Sequence, residues 1–554
     1  MLSEPGTGRK RAIVSRRAPS IAALAAVIGV FLCGGTAQAS SAAPGIAWGP
    51  CSDPSLQALN AQCGLLSVPL DYSNPSGAQI QIAVSRILHT STSADYQGVI
   101  LTNPGGPGQS GLNLNAFPIP ALQAEGYTAA AADYDWIGFD PRGVGSSNPV
   151  ISCIPNYFSP DRPSYNPSTP ALTNFWLNKS QSYAQACDNA SPQQWALLRH
   201  MTTRDMAMDM DTIRQALGQS QITYYGFSWG TYLGQVYSTM FPTRVRRLIM
   251  DSSVDPTRVG YDVANLDQDR PFDRNIDIFL GWVAQHDSTY HLGRTERAVE
   301  RRFFSTEAQL ESNPAGGVVG PDEWTDIFAV AGFTNMVWPQ RAQMFSDWVH
   351  KHDTTTANEL IFFYQADDSP GNDNTYAVYL SVECTDSPWP LNWGQWNSDV
   401  SAINKTAPFA AWANAWFDSP CIFWPAPSSP LFAVNGSGVS SALLIDETLD
   451  AATPYSGSLV VRSLFPHSVL LAEPGGTGHA ESLSGDTCVD GTIAAYLTTG
   501  ALPARQPGTG PDQTCAPIPP PVPSANPTLN SDAARPNNPD GQALRFGVPA
   551  VELR

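Results

Sequence analysis

Four short apolar runs, VIL at 99–101, WIGF at 136–139, ITYY at 222–225 and LIM at 248–250, each stop at a glycine-rich or acidic turn. None alternates apolar with polar residues, so each suits a strand buried on both faces, as in a parallel sheet covered by helices. Between the second and third lies TRDMAMDMDTIRQAL, 203–217, with Met206, Met210, Ile213 and Leu217 at helical spacing and Gly218 as a stop. That is a crossover helix whose methionines pack into a core. ALLI at 442–445 and VLL at 469–471 add two more buried strands late in the chain.

A chain of 554 residues exceeds the size at which a single core stops growing, so two folded units are expected. Between 255 and 430 helical periodicity takes over, and ten of the 15 tryptophans fall there: 282, 324, 338, 348, 389, 393, 396, 412, 416 and 424. An aromatic-rich helical insertion that interrupts an α/β sheet reads as a cap over the strand ends, most of its tryptophans forming the cap core and a few lining a pocket. The expected organisation is an export signal (1–39), a first part of the sheet domain (40–254), the cap (255–430), a second part of the sheet domain (431–515) and a proline-rich tail (516–554). The tail begins APIPPPVP at 516–523 and reads as an extended, surface-lying or mobile end.

The first 39 residues carry Arg9, Lys10, Arg11, Arg16 and Arg17, then the apolar run IAALAAVIGVFL at 21–32, then Ala37-Gln38-Ala39. Basic start, apolar centre and small residues define an export signal cleaved after Ala39. Ser15-Arg16-Arg17 hints at twin-arginine export, but Ala18-Pro19-Ser20 replaces the apolar residues expected after the pair, so the route stays open. Bulky Phe31 and Leu32 before Cys33 argue against a lipid anchor there. Removing the signal leaves eight cysteines, 51, 63, 153, 187, 384, 421, 488 and 515, an even number that reads as four disulfides in an exported protein. Sequence does not fix their connectivity; pairing each with its neighbour would close four modest loops. No C-x-x-C or H-x-x-x-H cluster supports a metal site, and no cofactor is called for. The net charge is −19, and the signal holds five basic residues and one acid, so the remainder is near −23. Such a chain repels nucleic acid and anionic lipid, and no later stretch is apolar enough for stable membrane insertion.

The run at 222–225 leads into Gly226-Phe227-Ser228-Trp229-Gly230 and then a helix from about 231 to 240. Five letters of this kind recur by chance, but strand, G-x-S-x-G and helix together make the nucleophile elbow of α/β-hydrolases. Acyl transfer at a serine needs a base, and backbone donors where the oxyanion forms. Trp229 supplies one amide. The run at 99–101 leads into NPGGPGQSG, 103–111, where Gly105, with Gly106 next, supplies the other. No G-K-[ST] follows, which removes a phosphate loop. Of eight histidines only His467 and His479 follow the strand at 442–445, and His479 alone lies beyond the next strand, in GGTGH, so it is the base. Asp446, Glu447 and Asp450 follow one strand and Asp251 another; on strand-end logic Asp450 and Asp251 both remain candidates for the acid.

With these residues in order, the chain resembles the tripeptidyl aminopeptidase group of secreted bacterial α/β-hydrolases, relatives of the prolyl aminopeptidases. The resemblance covers most of the chain after the signal: NPGGPGQSG at 103–111, GFDPRGVGSS at 138–147, D-x-D-x-I-R-x-A-L-G at 209–218, YYGFSWGTYLG at 224–234, CTD at 384–386, DAATP at 450–454 and GH at 478–479. Trp229 stands where the group more often has Tyr, and Asp450-Ala451-Ala452 varies its usual D-P-x-T-P. The resemblance implies that Asp450 is the acid, and that short peptides are cleaved from a free N-terminus beneath the cap. Such selectivity requires a carboxylate for the substrate ammonium, for which Glu383 and Asp386 in the cap are candidates, as are Asp367 and Asp368. The expectation is therefore a secreted monomeric serine peptidase, released or held at the cell envelope. A carboxylesterase with the same triad and a silent binding protein on the same fold are the rival readings.

Overall fold

The computed structural model describes residues 45–160, 162–368 and 372–523, all within one compact unit. The export signal, Cys33 and the tail beyond 523 lie outside the described residues, as do the side chains of Asp367 and Asp368. Ten strands form one sheet: β1 (Gly49–Pro50), β2 (Gln62–Pro69), β3 (Gln79–Ile87), β4 (Gly98–Asn103), β5 (Tyr134–Phe139), β6 (Ile222–Phe227), β7 (Val245–Asp251), β8 (Ala442–Glu447), β9 (Ser468–Glu473) and β10 (Gln513–Thr514). Their order is β1-β2-β3-β5-β4-β6-β7-β8-β9-β10. From β5 to β10 every pairing is parallel, while β1, β2 and β3 join antiparallel.

The six apolar runs of the sequence all lie in the parallel part. β6, β8 and β9 are buried along their whole length, as strands covered by helices on both faces must be. β2 and β3 were not anticipated. Each mixes buried and exposed positions, Leu65 being exposed beside the fully buried Leu66, because an antiparallel edge keeps one face in water.

The crossover helix spans Thr203–Ala216, capped at its start by the Thr202 side chain, with Met206, Met210 and Ile213 in the core beside Leu233 and Val236. Above the sheet, helices from Asp269–Gln285 to Ala411–Asp418 enclose a second core containing Trp282, Trp324, Trp338, Trp412 and Trp416. The packing crosses the expected boundaries. Trp176, from before the insertion, stacks on Trp416, and helix Asn374–Asp386, buried on every side, joins the core of the sheet through Val378 and Val382. Four disulfides join each cysteine to its neighbour in sequence: Cys51–Cys63, Cys153–Cys187, Cys384–Cys421 and Cys488–Cys515. In the chain-entropy account, loops of this length each stabilise the fold by about 3–4 kcal/mol. Among the described residues no helix is long and apolar enough to cross a membrane.

Candidate active site

β6 ends at Phe227, and the chain turns at Ser228 (φ 54°, ψ −126°) into helix Trp229–Met240. The strained backbone sits on the serine itself. The flanking glycines are needed for room: a Cβ at 226 would lie 2.5 Å from the Gly230 carbonyl oxygen, and one at 230 would lie 2.6 Å from that of Asn103. The turn is fixed by the Ser228 amide donating to the Asp251 carbonyl (3.0 Å) and by the Thr231 hydroxyl donating to the Ser228 carbonyl (2.6 Å).

The glycine-rich loop after β4 closes on this elbow. Gly105 has φ 103°, and a Cβ there would meet the Phe227 oxygen at 2.6 Å and the Trp229 nitrogen at 2.8 Å. Its amide donates to the Asn103 side chain at 3.1 Å. Gly106 lines the small cavity beside Ser228 and Trp229, and among the described residues its amide donates to no backbone carbonyl. Trp229, which lines the same cavity, opens a helix, where amides lack an intrahelical acceptor. Gly105→Ala is expected to lower both stability, by about 2–3 kcal/mol, and turnover, because its Cβ pushes on the elbow. Thermal unfolding and kcat check this; wild-type values for both would contradict it.

After β8, Asp450 is buried in a tight turn. Its Oδ1 accepts the amides of Ala452 (2.8 Å) and Thr453 (3.0 Å), and its Oδ2 accepts the Thr453 hydroxyl (2.9 Å) and faces His479 Nδ1 at 2.8 Å. His479 is fully buried, its backbone amide donating to the Phe333 carbonyl at 2.9 Å and its ring set edgewise to the Phe333 ring. Nε2 has no hydrogen-bond partner. The competitor Asp251 is engaged elsewhere: its carboxylate accepts the amide of Ser482 (3.0 Å) and the hydroxyls of Ser482 and Ser252, holding the turn after His479. Burial holds Asp251 above the usual carboxylate range, against the opposing pull of its bonds from Ser482 and of the nearby His479.

Two further acids flank the loop that carries His479. Asp490 accepts the amides of Leu483 (2.7 Å) and Gly485 (2.9 Å), yet burial and a hydrogen bond with Glu125 push it up to about 8. At the end of β9, burial and then the charges of Asp251 and Asp486 push Glu473 up to about 9. Both carboxyls bind a proton more tightly folded than unfolded. Their contribution to stability is complete below the ordinary carboxylate range and is lost as the pH rises through about 8 to 9. The urea midpoint is expected to fall between about pH 6 and pH 9.5; a flat or rising midpoint would contradict this.

A cavity of about 20 Å³, room for a single water, is lined by Gly106, Ser228, Trp229, Tyr379, Glu383 and Thr453 among others. Glu383 and Asp386, three residues apart, do different things. Asp386 is turned away: it accepts the Thr203 amide (2.8 Å) and hydroxyl (2.5 Å), capping the crossover helix. Glu383 is buried against the cavity, and its Oε2 has no hydrogen-bond partner. Burial, then the charges of Asp418 and Asp386, hold it well above the usual carboxylate range. Asp418, which the sequence reading passed over, takes the hydroxyl of Tyr379 at 2.9 Å and leaves its own Oδ2 unpartnered. The Cys384–Cys421 bridge ties its segment to that of Glu383, a link visible in the sequence only as two cysteines.

A serine on a strand-to-helix elbow, sharing a cavity with Thr453 of the turn that holds an aspartate–histidine pair, is the arrangement of a serine hydrolase of the α/β class. The family model described as alpha/beta hydrolase fold matches residues 98–481, and the chain belongs to that family. It is 38% identical over 490 residues to a tripeptidyl aminopeptidase of Streptomyces coelicolor, covering 87% of this chain and 88% of that one. It is 29% identical over 482 residues to the serine protease Hip1 of Mycobacterium tuberculosis (83% and 89% covered), and 30% identical over 492 residues to the carboxylesterase B of the same organism (85% and 91%).

Proposed function

We propose that this chain is an exported serine peptidase that releases short peptides, tripeptides first, from the free N-terminus of peptide substrates. As the Ser228 oxygen bonds to the scissile carbonyl carbon, its proton passes to His479 Nε2. The Trp229 and Gly106 amides donate to the resulting oxyanion, and Asp450 keeps the other imidazole proton on Nδ1. The C–N bond then breaks, the leaving amine takes the proton from Nε2, and water repeats the sequence on the acyl-enzyme. The basic start, the apolar run at 21–32, Ala37-Gln38-Ala39 and four disulfides support export.

The observation that carries the peptidase reading is Glu383. A buried carboxyl with an unpartnered oxygen beside Ser228 is costly to keep unless a cation completes it, and a free peptide N-terminus is such a cation. Likeness to the tripeptidyl aminopeptidase supports the number of residues removed. The carboxylesterase relative favours a second reading, hydrolysis of small esters, but a neutral acyl ester leaves Glu383 without a partner.

A tripeptide p-nitroanilide with a free amino terminus is expected to be cleaved at least about 100-fold faster in kcat/KM than its N-acetyl analogue, because only the ammonium gives Glu383 a charge-assisted partner. Glu383→Gln should narrow that ratio. Equal turnover of the two anilides, or short acyl esters as the only substrates turned over, would overturn the proposal.

A further inference from the structure

Beside the small cavity lies a larger groove of about 400 Å³, in the size range of ligand pockets, walled by the segment from Val254 to Pro271 and by the turn from Thr453 to Gly457. Val254, Val263 and Thr453 line both spaces, so the groove begins where the cavity beside Ser228 ends. Its walls are firmly set: Gln268 Nε2 donates to the Ala452 carbonyl at 2.7 Å, and a Cβ on Gly457 would lie 2.7 Å from the Ser253 oxygen. We infer that this groove receives the leaving portion of the peptide, and that Arg270 at its edge binds a carboxylate there, above all the free C-terminus of a short leaving segment.

This assignment rests on the peptidase reading, and three features of the groove carry it. The cavity beside Glu383 has room for a group no larger than a water or an ammonium, whereas a leaving segment of varying length needs the open groove. The Thr453 hydroxyl stands 3.3 Å from His479 Nδ1, which sets the groove against the imidazole whose proton goes to the leaving nitrogen. The third feature is charge. Arg258 is spent on Asp267 through bonds of 2.6 and 2.8 Å, and Asp255 is held by the amide and hydroxyl of Thr257. Arg270 is exposed, and among the described residues its one hydrogen bond runs from Nε to the Thr406 hydroxyl at 3.4 Å, leaving the terminal nitrogens available; its buried neighbour Asp269 accepts from Asn414. Leu266, Pro271 and Val254 supply apolar surface for the side chain next to the scissile bond.

The test compares three substrates sharing one tripeptide acyl part: the tetrapeptide Ala-Ala-Ala-Leu as free acid, its C-terminal amide, and the tripeptide p-nitroanilide. Wild type is expected to favour the acid over the amide about five- to tenfold in kcat/KM. Arg270→Ala should erase that preference and leave anilide turnover within about twofold, and Arg270→Lys should restore part of it. An acid preference that survives in Arg270→Ala, or an equal loss on all three substrates, overturns the assignment alone. Failure of wild type to cleave the anilide overturns the peptidase reading and this assignment with it.

Discussion

Ser228→Ala is expected to lower kcat by about 10⁶-fold with no change in thermal unfolding. Alanine takes the same positive φ at the same cost, and the contacts that fix the turn run through the Ser228 backbone rather than its hydroxyl. What disappears is the only group in the proposed mechanism that bonds to the substrate carbonyl. The Trp229 and Gly106 amides remain, so a residue of catalysis, about 10³- to 10⁴-fold over water, should persist. A variant that keeps more than a hundredth of wild-type kcat would point to another nucleophile.

Asp450→Asn should cost about 10⁴-fold in kcat, and Asp251→Asn less than about tenfold. In the turn after β8 the two amides of Ala452 and Thr453 require an oxygen at Oδ1. An asparagine there must then present its NH2 to His479, forcing the ring proton onto Nε2, the nitrogen that has to accept the serine proton. Asp251→Asn instead disturbs the bonds to Ser482, so its loss is expected in stability, about 1–3 kcal/mol, rather than in chemistry. Steady-state kinetics paired with thermal unfolding separate the two; the reverse pattern would move the acid to Asp251.

The parallel strands were legible because burial on both faces leaves runs such as ITYY unbroken, whereas β2 and β3 mix exposed and buried positions and read as ordinary polar chain. Strand ends alone left Asp251 and Asp450 open. Their surroundings differ in the structure: Thr453 answers Asp450 across a turn that D-x-x-T spells out, while Asp251 holds Ser482. Nothing in NPGG reveals that Asn103 folds back onto the Gly105 amide. Glu383 and Asp386 look equivalent one turn apart on a helix. They differ because that helix is buried on every side, so its last turn reaches Thr203 and the turn before reaches the cavity. Asp418 lies 35 residues from Glu383 and is brought near only by tertiary packing and a disulfide.

The most direct measurement is covalent labelling with a fluorophosphonate followed by mass spectrometry of the digested protein. One adduct is expected, on Ser228, suppressed by an excess of a free tripeptide substrate and absent from Ser228→Ala. No adduct on the wild-type protein, or an adduct on any other residue, would contradict a mechanism built on Ser228.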